Sequence, residues 1–198
     1  MSNKEQLIYS GIPTFMGSDY VKEIEELKNY DVAFVGIPSD YGASYRLGAK
    51  YAVRKIREYS FWDRVDGQRY YDFDYDTFIQ SNLLRIADFG DIEVNPTSPS
   101  VHQNNIEKTI YDIRKKCFPL VCGGDHSISY GSFLGCIKSH KEHFPDSEFG
   151  IIHFDAHLDV ESTYLSMPKV WHGNVFRELI DNNYVKGENV FSIGVRGI

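Results

Sequence analysis

The stretch GIIHFDAHLDV, residues 150–160, runs an apolar segment directly into ionisable side chains. Asp155, His157 and Asp159 occupy alternate positions, and residues two apart in an extended backbone face the same side. No lysine or arginine lies nearby in sequence to neutralise the two carboxylates. Because unpaired buried carboxylates are strongly disfavoured, the pattern predicts a bound divalent metal ion. An ordinary polar loop, in which Asp155 caps a helix, is the alternative.

A second polar segment, GGDHS, directly follows the apolar run PLVC. Its two glycines allow a tight turn at the end of a strand, which delivers Asp125 and His126 to the edge of a sheet. We expect Asp125 to cap the helix that opens at Ser127, which leaves His126 for a site. A mixed set of histidine and aspartate suits Mn²⁺, Fe²⁺ or Mg²⁺ better than a structural zinc site. Asp155 is placed to bridge two ions, and a two-metal centre makes hydroxide available near neutral pH.

The same residues allow other chemistries. Cys122 adjoins GGDH and could act as a nucleophile, but it ends an apolar strand, which favours a packed thiol. His157 and Asp159 with the later His172 imitate a site of two histidines and one carboxylate for iron, which leaves the remaining acid and imidazole groups unexplained. GGDHS could also hold a phosphate at a helix N-terminus, although no lysine follows and the local charge is negative.

The elements that must position these groups alternate along the chain. Short runs rich in Val, Ile and Phe predict buried strands at residues 31–38, 85–92, 118–124, 149–155 and 189–195. Helical spacing lies between them, at residues 21–30, 102–117, 127–144 and 173–183. This alternation predicts an α/β fold with a mostly parallel sheet, in which polar segments after four strands, DFGD among them, meet at one edge. Residues 61–82 are the least regular stretch and are expected to form a surface excursion.

The charge and composition of the chain limit the kinds of partner that it can bind. There are 28 acidic residues against 21 basic ones, for a net charge of −7, which argues against nucleic acid or an anionic membrane and favours cationic ligands. No apolar run approaches the roughly 20 residues of a membrane-spanning helix, so we expect a cytoplasmic protein. The three cysteines lack CxxC spacing and are expected to be reduced thiols. Nothing divides the chain, so residues 1–198 are expected to belong to a single domain.

The combination of GGDHS with IIHFDAHLD, followed by WHGNVFREL and preceded by GIPSDYGASYRLGAKYAVRKIR, resembles the ureohydrolases, and agmatinases more than arginases. The resemblance implies a three-layer α/β/α fold of the arginase and deacetylase type. It also implies a binuclear manganese centre that hydrolyses a guanidino compound to urea and an amine, with agmatine and its product putrescine expected first.

The resemblance also implies roles for individual residues. His126, Asp155 and Asp159 resemble the ligands of one manganese ion, His157 with bridging Asp155 resembles those of the other, and His172 resembles a proton-shuttling histidine. From its position after the metal motif, Glu161 is predicted to meet the cationic end of the substrate, with a solvated loop glutamate as the alternative.

The chain departs from the family pattern in ways that leave the substrate open. Ala52-Val53 and Asn174-Val175 stand where the family commonly has Gly-Pro and Thr-Pro pairs. Guanidinobutyrate, arginine and guanidine therefore remain alternatives to agmatine, as does another metal hydrolase of the deacetylase architecture. The family's later SxDxD-like motif does not occur here, so we expect roughly the N-terminal two thirds of the domain. A truncated, inactive metal-binding form is the alternative, and the complete enzyme is expected to be a homo-oligomer.

Overall fold

The computed structural model describes residues 10–63, 69–80, 83–162 and 166–197. The strands are β1 (Asp19–Tyr20), β2 (Val32–Ile37), β3 (Arg69–Asp72), β4 (Thr77–Gln80), β5 (Ile86–Asp91), β6 (Phe118–Gly123), β7 (Ile151–Phe154) and β8 (Val190–Ile193). The α-helices are α1 (Ala52–Ser60), α2 (Pro99–Arg114), α3 (Ile128–Lys141) and α4 (Val175–Asp181).

The large sheet has the strand order β1-β5-β2-β6 and is parallel throughout. The central strand β2 is an apolar run, as expected where both faces of a parallel sheet are covered, whereas its neighbour β5 carries Asp88 and Asp91. β7 and β8 form a second parallel pair, with Ile151 opposite Val190. The predicted α/β fold with a mostly parallel sheet is confirmed, but within the described residues its parallel strands fall into two sheets.

Two apolar cores hold the elements that position the site. In the first, Val35 and Ile37 of β2 pack with Ile106 and Ile110 of α2, and all four are fully buried. In the second, residues of α3, α4 and β7 pack together, namely Leu134, Ile137, Ile151, Val175, Phe176 and Leu179. Since α3 directly follows β6 and α4 lies against β7, these cores fix the carboxyl ends of both strands.

Two predicted segments differ in the structure. The stretch 21–30 contains a 3₁₀ helix over Ile24–Asn29, and only Leu27 of that helix is buried. The stretch 61–82 contains the antiparallel hairpin of β3 and β4, whereas residues 64–68 and 81–82 lie outside the described part of the chain. None of the helices in the described ranges is long and apolar enough to span a membrane.

Candidate metal centre

Three side chains converge at the carboxyl ends of β6 and β7. His126 Nε2 lies 3.2 Å from Asp159 Oδ2, and His153 Nε2 lies 3.5 Å from the same oxygen. The rings of the two histidines are stacked, with centroids 5.5 Å apart. The potential ligand atoms of the three residues all lie within 4.8 Å of one another. Nitrogen and oxygen ligands lie about 2.0–2.2 Å from a zinc ion, so small side-chain movements would close this group on an ion of similar size.

Asp155 and His157 adjoin this group. Asp155 Oδ1 accepts a hydrogen bond from the His157 amide at 2.9 Å and lies 3.2 Å from His157 Nδ1. Asp155 Oδ2 lies 3.7 Å from His153 Nε2. The bond from the His157 amide is the main cause that lowers the pKa of Asp155, which keeps this carboxylate charged. We refer to five residues together as the imidazole cluster: His126, His153, Asp155, His157 and Asp159.

The backbone reaches this arrangement by a different route from the predicted one. β7 ends at Phe154, so Asp155, His157 and Asp159 follow the strand and are not alternate residues within it. The chain bends after the strand, and Asp159 has a φ of 52°, in the left-handed region that aspartate enters more readily than most residues. The Phe176 amide of α4 donates to the Asp159 carbonyl at 3.2 Å, which ties the bend to that helix.

The glycine turn after β6 places His126. A Cβ on Gly124 would lie 1.7 Å from the Ser39 carbonyl oxygen, so only glycine fits this close approach to the loop after β2. His126 Nδ1 lies 3.0 Å from Ser129 Oγ, which orients the ring. Its Nε2 therefore faces Asp159, at the distance given above.

The loop after β2 holds His172. Asp125 is buried, and its carboxylate accepts hydrogen bonds from the Ser127 amide at 2.8 Å and the Gly42 amide at 3.1 Å. The contact with Ser127 agrees with the predicted position of Asp125 at the start of α3. The Gly42 carbonyl in turn accepts from the His172 amide at 3.1 Å, and Ser44 Oγ lies 2.8 Å from His172 Nε2. The imidazole of His172 is thus oriented by the same loop that Asp125 holds.

A cavity of about 750 Å³ joins most of the predicted residues. Its lining contains His157, Asp159, Glu161 and His172, together with Ser44, Leu158, Val160, Ser166, Met167, Trp171, Gly173 and Gly197. The Glu161 amide donates to the Gly173 carbonyl at 2.9 Å, which fixes the backbone of Glu161 beside the segment of His172. Two carboxylates and no lysine or arginine occur among these described lining residues, so the cavity favours cationic ligands.

The acidic residues of β5 do not join the imidazole cluster, although all four polar segments are predicted to build one site. Arg57 of α1 binds the Asp88 carboxylate through Nε at 2.8 Å and Nη2 at 3.0 Å, and it binds Asp91 through Nη1 at 2.6 Å. Asp88 is fully buried and also accepts from the Phe15 and Gly90 amides. In this Arg57 cluster (Arg57, Asp88 and Asp91) one guanidinium binds two carboxylates, and the cluster ties the N-terminal segment to the sheet.

The cysteines agree with the prediction of packed thiols. Cys117 is buried, Cys122 and Cys136 are partly buried, and none of the three forms a disulfide. Burial raises the pKa of the Cys117 thiol to about 11 and also raises the pKa of Cys122. A thiol with a raised pKa is a poor nucleophile at neutral pH, which disfavours the alternative chemistry for Cys122.

The imidazole cluster fits a divalent metal ion. Among the described residues, no lysine or arginine forms a salt bridge with Asp155 or Asp159. The Nε2 atoms of His126 and His153 are buried and have no hydrogen-bond partner in the described part of the chain. Charged carboxylates without a counter-ion, beside imidazole nitrogens without partners, are the donor set that a first-row divalent ion satisfies.

His153 and Ser44 are the site residues that the sequence analysis does not identify. His153 lies inside β7 and is 7% exposed, so its position in an apolar run suggests a core residue. A signal was present, because residues 153, 155, 157 and 159 continue a single alternation of ionisable side chains. Ser44 carries no comparable signal, since its role depends on a contact with a residue 128 positions away.

The fold and the cluster together define an α/β protein with a candidate divalent-metal site at the carboxyl ends of its strands. Residues 30–198 match the Arginase family, and the chain therefore belongs to that family.

Similar proteins and a similar solved structure support the assignment to this family. The chain is 32% identical over 198 residues to a guanidinobutyrase of Pseudomonas aeruginosa, covering 99% of this chain and 58% of that protein. It is 33% identical over 171 residues to a mitochondrial agmatinase of Gallus gallus, covering 84% of this chain and 46% of that protein. The solved structure of proclavaminate amidino hydrolase from Streptomyces clavuligerus superposes with a TM-score of 0.77 at 27% identity, covering 97% of this chain and 59% of that one. This chain thus spans about half of each relative's length.

Proposed function

We propose that this chain carries the metal-binding part of a manganese-dependent enzyme that hydrolyses a guanidino compound to urea and an amine. The observation that carries the proposal is the imidazole cluster, whose two carboxylates form no salt bridge with a lysine or arginine among the described residues and which adjoins a cavity whose lining includes Glu161. Membership of the Arginase family, together with relatives named for agmatine and guanidinobutyrate, supports it.

In this proposal the cluster holds two ions. His126, Asp155 and Asp159 would hold one ion, and His157 would hold the other together with Asp155. The position of Asp155 between His153 and His157, with one carboxylate oxygen towards each, supports its role as the shared ligand. When bound, such ions supply Lewis-acid polarisation and lower the pKa of a water molecule, which makes a nucleophile available at neutral pH.

His172 is the proposed proton carrier. Hydrolysis adds the oxygen of water to the guanidino carbon and breaks a carbon–nitrogen bond, and the departing nitrogen must take up a proton to leave as an amine. His172 lines the cavity, and its ring is held by Ser44 Oγ while its amide is held by the Gly42 carbonyl. An imidazole fixed in this way can give a proton to the departing nitrogen and recover it from water.

Agmatine is the proposed substrate because its far end is an ammonium group. Apart from the proposed metal ligand Asp159, the described lining of the cavity offers the carboxylate of Glu161 and no lysine or arginine, so a cationic tail is favoured over an anionic one. We assign Glu161 to that tail. Guanidinobutyrate, which ends in a carboxylate, is the second candidate, because the relative named for it aligns over 99% of this chain.

The test is urea release by the purified protein after loading with Mn²⁺, with agmatine, guanidinobutyrate, arginine and guanidine compared at equal concentrations. We expect agmatine to give the largest kcat/KM. Faster turnover of guanidinobutyrate would contradict the substrate assignment and leave the reaction class standing. Tight Mn²⁺ binding without urea from any substrate would contradict the hydrolase proposal and favour an inactive metal-binding form.

Two matched variants test the residue roles. Glu161→Gln is expected to raise KM for agmatine about fivefold, the equivalent of ~1 kcal/mol for an exposed ion pair, without changing KM for guanidine. Glu188→Gln, at another exposed glutamate, in the 3₁₀ helix Gly187–Asn189, is the control and should change neither. His157→Ala is expected to abolish urea release, and retained activity would remove the metal assignment.

The single domain, the cytoplasmic location and the homo-oligomer stay predictions.

A further inference from the structure

The hairpin of β3 and β4, residues 69–80, exposes aromatic side chains that the described part of the chain leaves uncovered. None of its residues is buried, and Phe73, Tyr75 and Phe78 are 88%, 81% and 56% exposed. The Tyr71 ring packs edge-on against the rings of Phe73 and Phe78, with centroids 5.0 and 5.2 Å apart. We call this element the aromatic hairpin. An isolated two-stranded hairpin is only marginally stable in water, so contact with another surface would stabilise it.

The tip of the aromatic hairpin is acidic. Within the described residues, no lysine or arginine forms a salt bridge with Asp72, Asp74 or Asp76. Asp72 Oδ1 accepts hydrogen bonds from the amides of Asp74 and Tyr75 at 2.9 and 3.0 Å, and Asp76 accepts one from the Tyr71 hydroxyl. The Asp74 carboxylate has no such contact with the described residues, so it is the aspartate that can best pair with a cation from outside the hairpin.

A second exposed aromatic surface runs along α1. Four residues recur at helical spacing on one side of this helix and its flanks, and we call them the α1 stripe: Tyr51, Lys55, Tyr59 and Trp62. Tyr51, Tyr59 and Trp62 are 67%, 73% and 68% exposed. Contiguous exposed patches of this kind mark interaction sites in proteins.

The charges of the two surfaces are opposite. On α1, Glu58 pairs with both Arg54 and Lys55, so two cations share one carboxylate. The aromatic hairpin has three aspartates against a single basic residue, Arg69, whose guanidinium lies 4.4 Å from the centre of the Phe78 ring. Aromatic rings beside cations on one surface, and aromatic rings beside carboxylates on the other, allow both charge pairs and cation–π contacts between them.

We propose that the aromatic hairpin of one copy of this chain binds the α1 stripe of a second copy, and that the two copies do so reciprocally about a two-fold axis. Both surfaces stay exposed within one chain, whereas two-fold symmetry places each on its complement. Asp74 of each copy then pairs with Lys55 of the other.

The area available supports a stable dimer. The aromatic residues Phe73, Tyr75 and Phe78 of the hairpin and the three aromatic members of the α1 stripe are all more than half exposed. Six such side chains offer roughly 600–1,000 Å² on each copy. A standard interface buries about 800 Å² per partner, so reciprocal contact of the two surfaces reaches that size. The inference is independent of the proposed function, because it needs neither metal nor substrate.

A protein of another sequence is the competing occupant of either surface. Such a partner would not require the two surfaces to match each other. Reciprocal binding does require it, because a change on the aromatic hairpin can then be compensated by a change on the α1 stripe of the other copy.

The first test is sedimentation velocity over a range of micromolar protein concentrations. We expect the wild type to form a dimer. Phe73→Ser removes an exposed aromatic anchor from both contacts of the dimer and should raise the dissociation constant about 100-fold. Phe144→Ser is the matched control, at a phenylalanine that is 59% exposed and lies outside both surfaces, and it should leave the dissociation constant unchanged.

The second test exchanges charges between the surfaces. Lys55→Glu and Asp74→Lys each place like charges opposite one another, so each variant alone should dimerise at least about tenfold more weakly. An equimolar mixture of the two should regain the wild-type affinity as a heterodimer, because one contact keeps the original pair and the other carries the reversed pair. Lys186→Glu, at an exposed lysine paired with Glu148, is the control and should dimerise normally.

Each other outcome has a definite meaning. A wild type that stays monomeric at every concentration overturns the proposal. A dimer that Phe73→Ser and the charge variants leave intact also overturns it, since the interface then lies elsewhere. If the mixture fails to regain affinity, the reciprocal pairing is overturned and another occupant is favoured. Circular dichroism establishes that each variant is folded, and if one charge variant is not, Phe73→Ser with its control decides.

Discussion

The Arg57 cluster and the imidazole cluster are both pairs of aspartates near the carboxyl ends of parallel strands, yet they are neutralised differently. In β5, both aspartates are bound by Arg57, which is itself largely buried. After β7, Asp155 and Asp159 face three imidazoles, and no lysine or arginine in the described ranges forms a salt bridge with them. A carboxylate pair with an internal cation depends on that cation for compensation of its buried charge, whereas a pair without one is available for an ion from solution.

Breaking the Arg57 cluster should have the largest effect on stability. Arg57→Met leaves the fully buried Asp88 without its cationic partner, which is expected to lower the free energy of unfolding by about 3–5 kcal/mol. Urea denaturation measures this loss of unfolding free energy. Arg54→Met on the same helix is the control, because the Arg54 side chain is 86% exposed and the change should stay within about 0.5 kcal/mol. Equal effects of the two variants would contradict a structural role for the Arg57 cluster.

Adding Mn²⁺ should stabilise the protein through the imidazole cluster alone. At a free concentration about 100 times the dissociation constant, a ligand that binds only the folded state adds about 2.7 kcal/mol. Thermal unfolding with and without Mn²⁺ measures this gain, which His126→Leu should remove. Arg57→Met should retain the gain despite its lower starting stability, since the Arg57 cluster takes no part in binding. A gain that survives in His126→Leu would place the ion elsewhere.

Asp125 tests a third arrangement, in which a buried carboxylate is satisfied by backbone amides. Asp125→Ala removes the acceptors of the Ser127 and Gly42 amides, and the expected loss is about 1.5–3 kcal/mol of unfolding free energy. Because Gly42 also holds the His172 amide, kcat for urea release should fall as well. Asp125→Asn, which keeps one carbonyl oxygen, should lose less stability than Asp125→Ala, and the reverse order would be inconsistent with this account.

The smallest effect is expected at the exposed pair of Asp31 and Arg85. The bond from Arg85 lowers the pKa of Asp31 to about 2, below its ordinary value of 3.8. A lowered folded-state pKa means that the stabilisation is present above the ordinary pKa and is lost as the pH falls from about 4 through about 2. Asp31→Asn should therefore change the midpoint of thermal unfolding slightly at pH 7 and not at all near pH 1.5. A larger loss of stability in Asp31→Asn than in Asp125→Ala would contradict the expected order of these effects.

Much of the fold follows from local pattern. Each of the five predicted strands contains a strand of the structure, because short apolar runs between helical segments have few other ways to be buried. The stretch 21–30 has apolar residues at helical spacing, but in the structure it forms only a 3₁₀ helix. DFGD ends a strand of the same parallel sheet, as predicted, but its aspartates do not join the imidazole cluster, because Arg57 of α1 binds both of them through packing that no local pattern reports.

The candidate site divides in the same way. Sequence alone determined which residue types stand together: the acids and imidazoles of GGDHS and DAHLD and the glycines that turn the chain beside them, since chemistry and backbone freedom are properties of the residues themselves. Tertiary structure decided which groups meet. The aspartates of DFGD bind Arg57, Ser44 contacts His172, and His153 lies beside Asp159. These contacts depend on how distant segments pack, which determines the neighbours of a buried side chain.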